Sequence, residues 1–274
     1  EVPRAALEAY YGLDRPLGEQ LLHYLAGLAR GHLGFSISYK APVADLLRSR
    51  LPWTLLLGFA AAFLSCFPAV VLGTRAGLGR VREGRVLVPA AVLESVPPFV
   101  LGSFLLVLLG VKLRLFPISG AYSTFAGLHG WERAMDVARH AVLPVLALAA
   151  SGFFDAYLVV RNSVRLVKDE PYVLLARVKG LPERYVDYRY ILRPALLPVV
   201  TLFSMRAAFA LGGAVLVEVL FAYPGVGRLV YEAVLSHDYP LLQGTFFLFT
   251  LWVLEINFAT DLLYLKLDPR IREV

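Results

Sequence analysis

Six ionisable side chains interrupt the long apolar runs of this 274-residue chain: Glu94, Asp155, Arg206, Glu218, Glu255 and Asp261. A charge at the centre of a bilayer costs about 3 kcal/mol or more, so such groups are kept facing a cavity, a partner or a transported solute. Glu218 and Asp261 stand near the ends of their runs, as do Glu94 and Asp155 if the boundaries move by one turn. Arg206 and Glu255 stand deepest, where mutual pairing and contact with a solute are both open readings. Pro97 and Pro98 remove backbone hydrogen bonds within an apolar run, which a membrane tolerates where a neighbouring helix or a wet cavity satisfies the freed carbonyls. Ser95, Pro97, Pro98, Ser151, Asp155, Ser204 and Arg206 are the candidate lining of a translocation path.

Catalytic chemistry has no comparable foothold. There is no G-x-x-x-x-G-K-[ST] loop to cradle nucleotide phosphates, no H-E-x-x-H and no clustered Cys/His pattern for a metal. His23, His32, His129, His140 and His237 are scattered, and no G-x-S-x-G presents a nucleophile. Cys66, the one cysteine, lies inside an apolar run and reads as a small buried residue. Transport or channel function remains.

The elements that position these groups are read from hydropathy. The apolar fraction is 58% and the mean hydropathy +0.64, both high for a soluble domain. The apolar residues gather into five runs near the length that crosses a hydrocarbon core: Leu51–Thr74, Val86–Val111, Ala141–Val160, Ala195–Leu220 and Leu241–Leu265. A soluble helical protein does not carry five such runs. Residues 1–50 are amphipathic, with Leu17, Leu21, Leu22, Leu25 and Leu28 on one helical face. Gly27, Gly31 and Gly34 break that helix, and Pro42 opens a second short one, Val43 to Arg50, leading into the first run. Gly212 and Gly213 would let helices approach closely. The expected architecture is an all-α polytopic membrane protein: an extracytoplasmic amphipathic segment over 1–50, then a transmembrane domain over 51–274.

The net charge of +6 is distributed in alternation. Arg75, Arg80, Arg82 and Arg85 crowd one loop against Glu83. Eight basic residues fill the 161–194 loop, and Lys266, Arg270 and Arg272 follow the last run. The 112–140 and 221–240 segments are less basic, so the positive-inside pattern places the basic loops and the C-terminus in the cytoplasm and residues 1–50 outside. Nothing in residues 1–50 reads as a signal peptide, so a span preceding this sequence, the first of six, is expected to carry them across.

The 161–194 loop is itself structured. Asp169 is expected as an N-cap, with Glu170 and Pro171 in the first turn and Tyr172 to Lys179 forming two turns. Gly180 stands where a helix stops, and Pro182 opens a second helix whose apolar side holds Tyr185, Tyr188, Ile191 and Leu192. Val173, Ala176 and Gly180 share one small-residue face, flanked by Arg177 and Lys179. Such a block can dock in a groove, or lie on the membrane surface as an ordinary amphipathic loop.

This loop resembles the coupling segment of permease subunits of binding-protein-dependent ABC importers. The family pattern is Glu-Ala-Ala, three residues, then Gly. Here the triplet is Leu174-Leu175-Ala176, so Ala176 and Gly180 match strictly. Ala176-Arg177-Val178-Lys179-Gly180-Leu181 and Arg193-Pro194-Ala195-Leu196-Leu197-Pro198-Val199-Val200-Thr201 resemble the peptide-importer branch more closely. Leu13-Asp14-Arg15-Pro16-Leu17, Gly31-His32-Leu33-Gly34-Phe35-Ser36, Pro97–Gly102, Phe116–Gly120, Tyr223–Leu229, Asp238-Tyr239-Pro240 with Gln243-Gly244, and Asp268–Arg272 are similar to elements of the B-type dipeptide/oligopeptide permease, in the same order.

The resemblance implies the six-span ABC importer type I permease fold and no enzymatic role for this chain. ATP and Mg would be bound by two partner ATPase subunits. A second homologous permease subunit and an extracytoplasmic substrate-binding protein would complete the system, which would move peptides across a prokaryotic inner membrane. Val173, Ala176, Arg177, Lys179, Gly180 and Leu181 would be the ATPase-coupling residues. The rivals are an ion- or proton-coupled secondary transporter using Glu94, Asp155, Glu218, Glu255 and Asp261, which lacks a visible repeat, and a scaffold without transport.

Overall fold

The computed structural model of the chain describes residues 16–82, 84–124 and 127–267. Glu83, Leu13–Arg15 and the Asp268–Arg272 element lie outside the described residues. α1 (Leu17–Ala29) is the expected amphipathic helix, none of its residues buried. Gly31 (φ 80°) and Gly34 (φ 92°) then turn the chain where only glycine is free of strain. A small antiparallel hairpin follows, β1 (Phe35–Ser36) against β2 (Ala41–Pro42).

α2 (Val43–Gly77) starts directly after Pro42 and runs 35 residues through Pro52. The separate helix expected over 43–50 is thus the first part of the first span. Pro52 removes the partner of the Arg48 carbonyl, and Arg48 is exposed, so water can take that bond.

The second run is not one helix. α3 (Gly84–Glu94) and α4 (Pro98–Lys112) meet at a 100° bend. Pro97 and Pro98 set that break, Pro98 occupying the first turn of α4 where its missing N–H costs nothing. The end of α4, Leu106–Lys112, widens into π-helical turns. α5 (Gly130–Lys168) extends well before the apolar run. After it come α6 (Pro171–Val178), α7 (Glu183–Ala195), α8 (Leu197–Gly213), α9 (Val215–Leu220), α10 (Val226–Leu235) and α11 (Tyr239–Leu267). The expected fourth span, Ala195–Leu220, is interrupted at Ala214, and α8 is set 46° from α7. Among the described residues three helices are long and apolar enough to cross a membrane, and five spans result if each bent pair crosses as one.

α2 and α5 pack along their length because small residues let them. A Cβ on Gly73 would lie 2.9 Å from the Val160 Cβ, and one on Gly77 2.7 Å from that of Val164. Gly58 plays the same part against Ala210 of α8, at 2.5 Å. At Gly212 a Cβ would meet nothing within 4 Å, whereas close approaches are made at Gly58, Gly73 and Gly77.

The two ends of the bundle sort the loops as the charge pattern does. At one end Arg80 Nη2 pairs with Asp187 Oδ2 at 2.6 Å, joining the two basic loops. At the other, Asp238 Oδ2 accepts from Ser36 Oγ at 2.5 Å and from the Ser38 amide at 3.0 Å, and Tyr39 donates to Glu232. The hairpin and the 221–240 segment therefore share the opposite end.

Candidate functional site

The loop between α5 and α8 is a packed hairpin. α5 runs on to Lys168, which makes Asp169 its C-cap and leaves Glu170, in extended conformation, as the N-cap residue of α6. The expected Asp169 cap is corrected accordingly. Gly180 adopts φ 74°, its amide donating to the Arg177 carbonyl at 2.9 Å, and Leu181 donates back to Ala176. This is a left-handed helix stop, which disfavours any residue with a Cβ.

The face of α6 expected to meet a partner is turned inward. Val173 and Ala176 are buried against Val160 and Val164 of α5 and Val186 and Ile191 of α7. The reason is their small apolar side chains at i and i+3, which fit the end of the bundle. Arg177, Lys179 and Gly180 are exposed, Leu181 is half-buried against the same core, and Arg177 Nε reaches Glu183 Oε1 at 3.5 Å. The outward face carries Leu174 (64% exposed), Leu175 (54%) and Val178 (76%). Leucine and valine on both sides of a two-turn helix outside the membrane were the signal for this second face. In α7 the turns over Val186–Leu192 widen, so Val186 and Ile191 point in while Tyr185 and Tyr188 point out.

A second polar assembly lies at mid-height. Arg206 of α8 crosses over Gly152 of α5, where a Cβ would fall 1.5 Å from Nη1; glycine there makes the room. Arg206 Nη2 lies 3.9 Å from Asp155 Oδ2, and Glu94, at the end of α3, stands beside Asp155. Arg206 Nε and Glu94 Oε2 are buried without a hydrogen-bond partner. The partner of Arg206 is thus Asp155 rather than Glu255, which is exposed on α11 with Asp261. A cavity of about 240 Å³ adjoins the guanidinium, walled by Gly58, Ser65, Pro98, Ser151 and Phe209. Of the expected path residues, Pro98, Ser151 and Arg206 come together there and Asp155 borders them. Ser95 instead donates to the Val92 carbonyl at 2.7 Å, Pro97 caps α4, and Ser204 stays outside the cavity wall.

Glu218 has a different setting. Fully buried, it accepts from Thr54 Oγ1 at 2.6 Å and from the Arg228 amide at 2.9 Å, at the N-terminus of α10. Thr54 accepts in turn from the Val226 amide at 2.7 Å. The carboxylate is a pin between α2, α9 and α10.

Bent apolar helices, a packed hairpin at one end and a charged cluster at mid-height define a polytopic membrane permease component. The chain belongs to the family described as binding-protein-dependent transport system inner membrane component, whose model matches residues 69–273. It is 35% identical over 263 residues to the glutathione transport system permease protein GsiC of Shigella flexneri serotype 5b (strain 8401), covering 95% of this chain and 81% of that one. To the dipeptide transport system permease protein DppB of Escherichia coli (strain K12) it is 32% identical over 287 residues, covering 98% and 85%. The fold is similar to a chain of the inward-facing MetNI methionine ABC transporter, with a TM-score of 0.63 and 16% identity over 81% of this chain and 96% of that one.

Proposed function

We propose that this chain is the permease subunit of an ATP-driven importer of di- or oligopeptides, moved by separate ATPase subunits that grip the 169–192 loop. The observation that carries the reading is the outward face of α6. Leu174, Leu175 and Val178 are apolar and exposed in a loop rich in Arg and Lys, and a partner surface would make their exposure favourable. Val173 and Ala176, buried behind them, fix α6 to α5 and α7, so a push on α6 passes into two long elements. Gly180 sets the angle of the block, and Arg177 and Lys179 flank it. ATP and Mg belong to the partner ATPases. A second homologous permease completes the path. The positive-inside pattern supports cytoplasmic placement of the hairpin, with residues 1–50, 112–140 and 221–240 facing an extracytoplasmic binding protein. Relatives named for dipeptide and glutathione transport support a peptide cargo.

Two variants test the coupling. Val178→Asp places a charge in the apolar contact, and Gly180→Val strains the helix stop. Both are expected to insert normally and to weaken ATPase docking by roughly tenfold or more, about 1.4 kcal/mol, read by co-purification and by transport-coupled ATP hydrolysis. Full coupling in both would remove the proposal.

A further inference from the structure

We infer that Glu94, Asp155 and Arg206 form a recognition station for the charged ends of a zwitterionic peptide. The two carboxylates receive its ammonium group and the guanidinium receives its carboxylate. This rests on the peptide-import reading above.

The cluster differs from a structural ion pair in three ways. It is open: Arg206 and Asp155 meet at 3.9 Å, without the short bidentate geometry of a closed pair, and the Asp155 side chain is 59% exposed. It holds unused bonding capacity, since Arg206 Nε and Glu94 Oε2 are buried without partners. Glu218 in the same chain shows the closed alternative, with both carboxylate oxygens satisfied. Finally, Arg206 lines a space, with Asp155 3.9 Å from its guanidinium. The adjoining cavity of about 240 Å³ has the liquid volume of about eight waters, ample for the roughly nine heavy atoms of a dipeptide backbone. Gly152 keeps the guanidinium unobstructed.

The position suits a path. The cavity walls come from the middle of α2, α5 and α8 and from the break before α4, so four elements converge on it. Ser65 and Ser151 donate to carbonyls of their own helices at 3.0 Å, leaving oxygen lone pairs as acceptors for substrate N–H groups. Relaying both termini through one exchangeable cluster lets a peptide replace the internal ion pair as it passes.

The test uses the whole transporter, with its second permease, ATPases and binding protein, in proteoliposomes. The probe is a dipeptide with free termini and a photoreactive side chain. In the wild type it should label this chain near the cavity, and unlabelled dialanine should compete better than N-acetyl-dialanine or dialanine amide. Asp155→Asn should specifically lose the discrimination against the N-acetyl form, and Arg206→Gln that against the amide, each by roughly tenfold, the scale of one charge-assisted hydrogen bond. The exchanged pair, Asp155→Arg with Arg206→Asp, should not restore uptake of labelled dialanine. Restored uptake in the exchanged pair, or unchanged discrimination in both single variants, would assign the cluster a purely structural role. Absence of ATP-driven dialanine uptake by the wild-type transporter would instead overturn the peptide reading itself.

Discussion

The carboxylate of Glu218 and the glycines facing it illustrate how single residues set this fold. A Cβ on Gly225 would lie 2.3 Å from the Glu218 carboxylate, and one on Gly227 would lie 2.8 Å from the Val215 Cα. The Tyr223-Pro224-Gly225-Val226-Gly227-Arg228 segment is therefore glycine-rich because a buried carboxylate occupies the space, and the start of α10 supplies the Arg228 amide as one of its donors. Gly225→Ala should cost about 1–3 kcal/mol through overpacking. Glu218→Ala should cost about 1–3 kcal/mol by orphaning the Thr54 hydroxyl and the Arg228 amide. The double variant should be less destabilised than the sum, because shortening Glu218 removes the clash. Thermal unfolding of the detergent-solubilised chain gives the cycle, and strict additivity would contradict the direct contact. That Glu218 stands near the end of its apolar run was legible in the sequence. The partner of Arg206 was not, because spacing along one helix does not say which helix lies opposite. The Gly152 vacancy that admits the guanidinium decides it.

Between elements, the join of the β1–β2 hairpin to α10 depends on a protonated phenol. Tyr39 donates to Glu232, which also accepts from Arg228 Nε at 2.8 Å. Burial, then the hydrogen bond and negative charge of Glu232, push the Tyr39 phenol from 10.0 up to about 12. The folded value is raised, so the contribution is complete below about pH 10 and is lost as pH rises towards about 12. In an alkaline titration of tyrosinate absorbance, Tyr39→Phe should remove one late-ionising group. It should also remove the stability loss specific to that window. Unchanged curves would show that the join does not depend on this proton.

Element by element, apolar runs revealed the number of membrane-length segments but not their continuity. The Pro97–Pro98 pair was visible as a perturbation, but the 100° angle of the break it sets was not. The hairpin after α5 was legible from Pro171, Gly180 and Pro182. Which face of α6 turns inward was not, since apolar residues line both sides and the end of α5 selects the smaller pair.

Across the whole molecule, the contacts between loops sort them to two opposite ends. Arg80 joins Asp187 at one end of the bundle, while Ser36 and Tyr39 join Asp238 and Glu232 at the other. The positive-inside reading proposes the first end for the cytoplasm, and the proposed coupling requires it there. The single buried cysteine makes this measurable. With Cys66→Ala as background, single cysteines at Arg82 and Leu235 stand on exposed positions at opposite ends. A membrane-impermeant maleimide applied to intact spheroplasts should label the Leu235→Cys chain directly and the Arg82→Cys chain only after permeabilisation. The reverse pattern would place the α6 hairpin outside, beyond the reach of any cytoplasmic ATPase, and the coupling mechanism would fall with it. Labelling at both positions from outside would show that the two ends do not lie on opposite faces of the membrane, against the sorting of loops in the fold.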